Sequence, residues 1–222
     1  MPTARIDTGW TLFESIEGTQ VNLPEVGFIP FRGVPYGEFD FTTGYLGDFD
    51  RDIGVQETSM ADCFVKRLMT AYRPDPESGD TVTIPIEMVG LQLRSVSPVG
   101  GPFGDQYVYV TLQSARGGPQ TLGVMAINFE DDDSGSFHTT LQIYYDIRVG
   151  SLDGTPHPQS AKGFAGRAES PTSWRRSAPE SALLLRGVNS MLADDDAGNF
   201  FPAAVHAVES ASAGIHTVNP AS

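Results

Sequence analysis

The chain has 222 residues, 28 acidic against 14 basic, and a formal net charge of −14. That balance excludes a binder of the nucleic-acid backbone, which needs clustered Lys and Arg. With 40% hydrophobic residues a sizeable core is available and wholesale disorder is excluded, while 24 Gly and 16 Pro imply many turns.

At the N-terminus, Met1–Trp10 carries Arg5 and Asp7 and lacks the apolar run of a signal peptide. No stretch approaches the length of a transmembrane helix, so no membrane span is expected. The N-terminal third is rich in Phe, Gly and Pro (Phe28, Pro30, Phe31, Gly33, Pro35, Gly37, Phe39, Phe41). That composition disfavours helix and predicts an extended arm laying aromatics on a sheet face.

Asp48, Asp50 and Asp52 alternate like the first ligands of a calcium loop, where carboxylates converge on a hard cation. The match then fails: the glycine, Gly54, arrives one residue late and the twelfth position is Ser59 rather than Glu. Calcium is the one cofactor the chain suggests, and a solvated acidic turn is the competing reading. Glu130–Asp133 and Asp194–Asp196 are two more acidic runs at turns.

Residues 59–72 read two ways. Phe64, Val65, Leu68, Met69 and Tyr72 make a helical stripe, with Ser59 and Asp62 as a capping box. Cys63, Val65 and Met69 instead line one side of a strand. Periodicity alone favours helix. Cys63 is the single cysteine, which excludes an intrachain disulfide and any Cys-built zinc or iron–sulfur site; it reads as a small buried residue.

Four strand candidates lie between residues 81 and 149. Thr81–Val96 places Val82, Ile84, Ile86 and Met88 in one phase and Val89, Leu91 and Leu93 in the other. A slip beside Gly90 predicts a β-bulge or a strand crossing between sheets, and Pro85 predicts an edge position for the first half. Gln106–Gln113 alternates Val108, Val110 and Leu112 against Tyr107, Tyr109 and Thr111. Thr121–Phe129 forms a hairpin with Ser136–Val149 through Glu130–Gly135, and Thr139–Val149 alternates strictly with Leu141, Ile143, Tyr145, Ile147 and Val149 on one face. Strands separated by Gly, Pro and Asp turns, with no βαβ alternation, predict a mostly β fold: an antiparallel β-sandwich with long irregular extensions and little helix. Residues 1–150 form that domain, including the N-terminal arm. Residues 151–222 form an irregular extension packing on it or between domains. Within that extension, residues 151–182 read as a meandering loop with Trp174 as its landmark, and Leu183–Leu185 as a short helix.

Three segments carry a resemblance: Ala61–Leu68 (ADCFVKRL), Thr81–Val99 (TVTIPIEMVGLQLRSVSPV) and Gln106–Ser114 (QYVYVTLQS). In order and spacing they resemble a group of uncharacterised secreted bacterial β-rich proteins. Those proteins carry TDTIVxRL, then VPIE with Ile or Leu before VxLxLxSVxPI, then YDVxVTL; some end in a PEP-CTERM-type sorting tail. The chain has Ala61-Asp62-Cys63-Phe64 where Thr-Asp-Thr-Ile is usual, and no apolar run near its last residues, His216–Ser222. The resemblance covers the middle half of the chain. It implies an extracellular or cell-surface setting, with a cytoplasmic one left open, and it tilts residues 61–69 towards strand. It brings no catalytic residues with it.

No complete catalytic motif occurs. G-x-S-x-G, HExxH and phosphate-cradling glycine loops are absent, and His138, His157, His206 and His216 have no zinc-pair spacing. Glu87, inside an apolar strand, is the best single carboxyl for glycoside hydrolysis, which needs two across a cleft; the ordinary alternative is an outward Glu paired with Arg94 or Arg148. Tyr107, Tyr109 and Tyr144 form a candidate binding face for sugars or a protein partner, if wrapping segments leave it uncovered. The expected role is therefore a non-catalytic surface, extracellular-matrix or assembly protein that self-associates or meets another surface protein. The alternatives are a polysaccharide-acting hydrolase and a calcium- or carbohydrate-binding module.

Overall fold

The computed structural model describes residues 5–6, 8–15, 19–23, 25–34, 62–74, 79–132, 134–158 and 160. It also describes seven later segments: 164–168, 172–175, 183–185, 188–190, 198–200, 210–214 and 216–218. The first strands are β1 (Arg5–Ile6), β2 (Gly9–Ser15), β3 (Gln20–Leu23), β4 (Gly27–Gly33), β5 (Cys63–Arg67) and β6 (Ala71–Tyr72). The central ones are β7 (Thr81–Ser95), β8 (Val108–Leu112), β9 (Thr121–Phe129), β10 (Ser134–Ile143) and β11 (Tyr145–Val149). The remainder are β12 (Phe164–Ala168), β13 (Thr172–Arg175), β14 (Leu183–Leu185), β15 (Val188–Ser190), β16 (Gly198–Phe200), β17 (Ser210–Gly214) and β18 (His216–Val218). The helical geometry among the described residues consists of two 3-10 turns, Gly101–Phe103 and Gln113–Arg116. The fold is mostly β and mainly antiparallel, as the alternation predicts.

The organising strand is β7. On one edge it pairs with β9 over Thr81–Met88 and with β8 over Gln92–Arg94. On the other it pairs with β5 over Ile86–Leu91 and with β4 over Leu93–Ser95. Between the halves the register shifts: Phe64 faces Gly90 while Val65 faces Met88, so Val89 is the extra, bulged residue. The predicted slip is this bulge. It moves the buried phase from Ile84, Ile86 and Met88 to Leu91, Leu93 and Ser95.

The two neighbouring strands break at the same level. The partner of β7 jumps from Thr121 opposite Met88 to Thr111 opposite Gln92, and residues 113–120 loop out between them. One strand further out, β10 ends at Ile143 and β11 begins at Tyr145. Thr139–Val149 is thus two strands, although its odd residues from Thr139 to Ile147 stay buried as predicted. Backbone groups freed by the break find local partners. The Tyr144 N–H donates to Thr121 Oγ1 (3.3 Å), the Gln113 N–H donates to the Tyr144 carbonyl (3.0 Å), and Gln113 Nε2 donates to the Tyr145 carbonyl (2.9 Å). The sheet bends along this line, and its inner faces share one core that includes Ile86, Met125, Ile127, Phe137, Val110, Tyr145 and Ile147.

Pro85 does not lie on a free edge. It faces Val124 of β9 on one side, and on the other β5 stops at Arg67 opposite Ile86. There the Pro85 carbonyl accepts the Leu68 N–H (3.0 Å). The missing proline N–H therefore falls just beyond the end of a neighbouring strand, where no ladder bond is required.

The helical stripe over residues 59–72 is corrected by β5. Leu68, Met69 and Tyr72, which a helix would bury, are exposed. β5 lies between β2 and β7, and Asp62 through Val65 are all buried. A central strand covered on both faces loses its alternation and can imitate a helical run. Ser59 lies outside the described residues.

Residues 151–182 contribute strands where a loop is expected. β12 pairs with Thr140–Ile143 and β13 with Ser134–Phe137, both on the edge of β10. Leu183–Leu185 pairs antiparallel with β15 instead of forming a helix. Ladder bonds need only backbone, so Ser- and Gly-rich segments can pair without a side-chain pattern. Trp174 is fully buried against Phe129, ring centroids 5.1 Å apart and edge-on. It stands opposite Gly135, where a Cβ would come within 1.9 Å of the Asn128 carbonyl oxygen and 2.7 Å of Trp174 Nε1. Among the described residues no helix is long and apolar enough to cross a membrane.

Candidate functional site

The bend gives the lower sheet, β4–β7–β8–β11, an outer face of its own. Register places Arg32, Arg94, Tyr109 and Arg148 in one row across its four strands. The next row holds Gln92, Thr111 and Asp146. The inner row is closed. Asp146 is fully buried and receives Arg116 Nε on Oδ2 (2.6 Å) and Nη2 on Oδ1 (2.9 Å). Arg148 donates through Nε to Thr111 Oγ1 (2.9 Å), through Nη1 to the Gly154 carbonyl, and reaches Asp146 at 3.5 Å. The Asp146 carboxylate holds the Arg116 guanidinium firmly in its charged form. Gln92 is 1% exposed, yet its Nε2 finds no hydrogen-bond partner among the described residues.

Towards the other end the face opens. Tyr109 is 8% exposed but Tyr107 is 39% exposed, with the Arg94 guanidinium 5.0 Å over its ring. Tyr107 and Tyr109 are thus neighbours on this face. Tyr144 is not with them: the Tyr107 carbonyl accepts the Gly150 N–H, so Tyr144 lies six residues away along β11, about 20 Å. The predicted face is covered at Tyr109, half-covered at Tyr144 and open at Tyr107.

The upper half presents a different outer face. Register aligns Lys66, Glu87 and Leu122 across β5, β7 and β9, and beside them Pro85 and Val124, with Leu68 bonded to Pro85. Leu68, Leu122 and Val124 are 39%, 49% and 45% exposed. Glu87 is half-buried, flanked by Lys66 and Leu122 rather than by Arg94, Arg148 or a second carboxylate.

Asp48, Asp50 and Asp52 lie outside the described residues, as do Asp194–Asp196. Of the remaining acidic run, Asp131 accepts the Ser134 N–H (2.6 Å) and hydroxyl (2.9 Å), which closes the β9–β10 hairpin, and Asp132 pairs with Arg73 (2.7 Å). Among the described residues no three His, Cys, Asp or Glu side chains gather as a metal site. The His157 ring packs on Phe103, 5.1 Å between centroids.

Asp62, which the sequence suggests as part of a helix capping box, has a different structural role. Buried before β5, it accepts the Ser15 N–H (2.7 Å) and hydroxyl (2.9 Å). It fills the space where Gly33 has no side chain: a Cβ there would sit 1.6 Å from Asp62 Oδ2. Cys63 beside it is buried, and burial together with the Asp62 charge pushes its thiol well above the ordinary range. A folded chain that keeps this proton while the unfolded chain loses it becomes less stable as pH rises past the unfolded thiol pKa of about 8.5. Thermal melts should therefore show Tm falling above that pH. Cys63→Ala should flatten this fall; an unchanged alkaline profile would refute the assignment.

Compared with known proteins, the chain matches no family model, no curated protein and no solved structure.

Proposed function

We propose that the protein is a non-catalytic assembly component in which a second copy of the chain covers the outer face of β5, β7 and β9. The observation that carries this reading is the apolar stripe Leu68–Pro85–Val124 with Leu122, solvent-facing on the central strands of the sheet. Sheet faces of single chains place polar residues there, and contiguous exposed apolar side chains mark contact surfaces. Lys66 and Glu87 stand side by side next to the stripe. A two-fold axis through it sets the lysine of one copy against the glutamate of the other, the self-complementarity an isologous contact needs. An extracellular or cell-surface setting agrees with this role. A hydrolase is less well supported, because Glu87 faces Lys66 rather than another carboxylate.

Light scattering after size exclusion, across a wide concentration range, tests the reading. The wild-type chain should be dimeric or larger. Replacing both Leu122 and Val124 by Asp should weaken association at least about a hundredfold. A wild-type chain that stays monomeric at every concentration overturns the proposal, as does a double variant that associates unchanged.

A further inference from the structure

The lower sheet carries a second exposed apolar cluster, at the end away from the bend. The Val96 N–H donates to the Pro30 carbonyl (3.0 Å), and the β7–β8 register, continued two residues past Arg94 and Tyr109, sets Val96 opposite Tyr107. Phe28 stands two residues from Pro30 along β4, in the same phase. Phe28 is 50%, Val96 55% and Tyr107 39% exposed, and Pro30 is exposed beside them. Phe31, in the opposite phase of β4, is buried in the core. Contiguous apolar side chains on a solvent-facing sheet mark a contact surface.

The charges around the cluster are sorted along the strands. Exposed Arg32 lies on the side towards the bend, two residues past Pro30 in the same phase. Glu25 and Asp105, both exposed, lie on the opposite side, in the turns that lead into β4 and β8. A two-fold axis across the strands, through the row Pro30–Val96–Tyr107, reverses strand direction in a second copy. It lays the apolar rows on each other and brings Arg32 of each copy towards the acidic turns of its neighbour. That charge self-complementarity is what singles out a second copy as the occupant.

The cluster is separate from the Leu122–Val124 face. Eleven residues of chain, roughly 35 Å of strand, lie between Pro85 and Val96, and the bend falls within them. Two copies can therefore occupy the two faces of a third at once.

We propose that the cluster of Phe28, Pro30, Val96 and Tyr107 is a second self-contact, so that copies add on both sides and assembly passes the dimer. The contact itself is independent of the β5–β7–β9 face; growth past the dimer rests on that earlier reading.

Analytical ultracentrifugation of the full chain separates the two contacts. The wild-type chain should form species larger than a dimer that grow with concentration. Phe28→Asp together with Val96→Asp, both at exposed positions, should stop assembly at dimers held by the β5–β7–β9 face. Leu122→Asp together with Val124→Asp should stop it at dimers held by the new contact, and all four changes together should give monomers. Arg32→Glu should weaken the new contact about tenfold or more, with thermal melts unchanged. Monomers from the Leu122 and Val124 variant overturn the second contact. Monomers from the Phe28 and Val96 variant overturn the first face instead, and growth past the dimer with it. A Phe28 and Val96 variant as large as the wild type, or an Arg32→Glu variant that assembles unchanged, also overturns the proposal. So does wild-type binding to phosphatidylcholine vesicles that Phe28→Asp abolishes, which would assign the cluster to a lipid surface.

Discussion

Trp174→Ala should lower the stability of the protein by about 3–5 kcal/mol, the usual cost of emptying a large aromatic site in a core. The ring is fully buried, meets Phe129 edge-on, and donates its indole N–H to the Asn128 carbonyl (3.1 Å). It occupies the space that Gly135 leaves open at the edge of β10. The truncation therefore opens a cavity and orphans a carbonyl together, and β13 loses its one described anchor in the core. For a chain of this size the Tm should fall by roughly 6–20 °C. Trp174→Phe keeps most of the packing and loses the N–H bond, so its cost should be near 1 kcal/mol, in line with a single hydrogen bond. An alanine variant destabilised by less than about 1 kcal/mol would mean that β13 does not contribute to the core.

Asp146→Ala should cost about 2–3 kcal/mol, which is more than a surface ion pair is worth. The carboxylate is fully buried and accepts both arms of Arg116, while Arg148 stays anchored by Thr111 and Gly154 beside it. Arg116 is half exposed and can turn to water once its partner is gone, which keeps the penalty below that of a fully buried pair. Arg148 is mostly buried and stays in place with uncompensated charge. Asp146→Asn, which keeps one acceptor, should fall in between. Urea denaturation measures both variants; a change of under about 0.5 kcal/mol for the alanine variant would reduce the pair to an ordinary surface contact.

Much of the central sheet is legible in the sequence because most of its strands keep a period-two pattern. Ile84, Ile86 and Met88 followed by Leu91 and Leu93 record both the alternation and the bulge that reverses it. Thr121–Phe129 announces itself in the same way, and Val108–Leu112, although buried throughout, alternates aliphatic residues with Tyr109 and Thr111. β5 is obscured for the opposite reason: with neighbours on both edges and Asp62–Val65 buried on both faces, its apolar run carries no period. β12 and β13 are obscured because ladder bonds need no side-chain pattern, and Trp174 alone gives no period. The arginine row of the lower sheet is the hardest to read. Arg32, Arg94 and Arg148 are separated by about 60 and 54 residues, and only pairing across β4, β7, β8 and β11 brings them into a row. The tyrosine alternation separates the outer face from the core but carries no sign of which rings other segments cover.

Three neighbouring strands interrupt their ladders at one level, at Val89, at residues 113–120 and at Tyr144. That seam works as a mechanical decoupler of register. A one-residue slip in a continuous strand turns every later side chain to the wrong face. Here, length variation inside residues 113–120 is absorbed before β9 begins, because Gln113 and Thr121 bond the broken ends instead of a neighbouring strand. The two outer faces can thus diverge in sequence independently while the core they share stays in register.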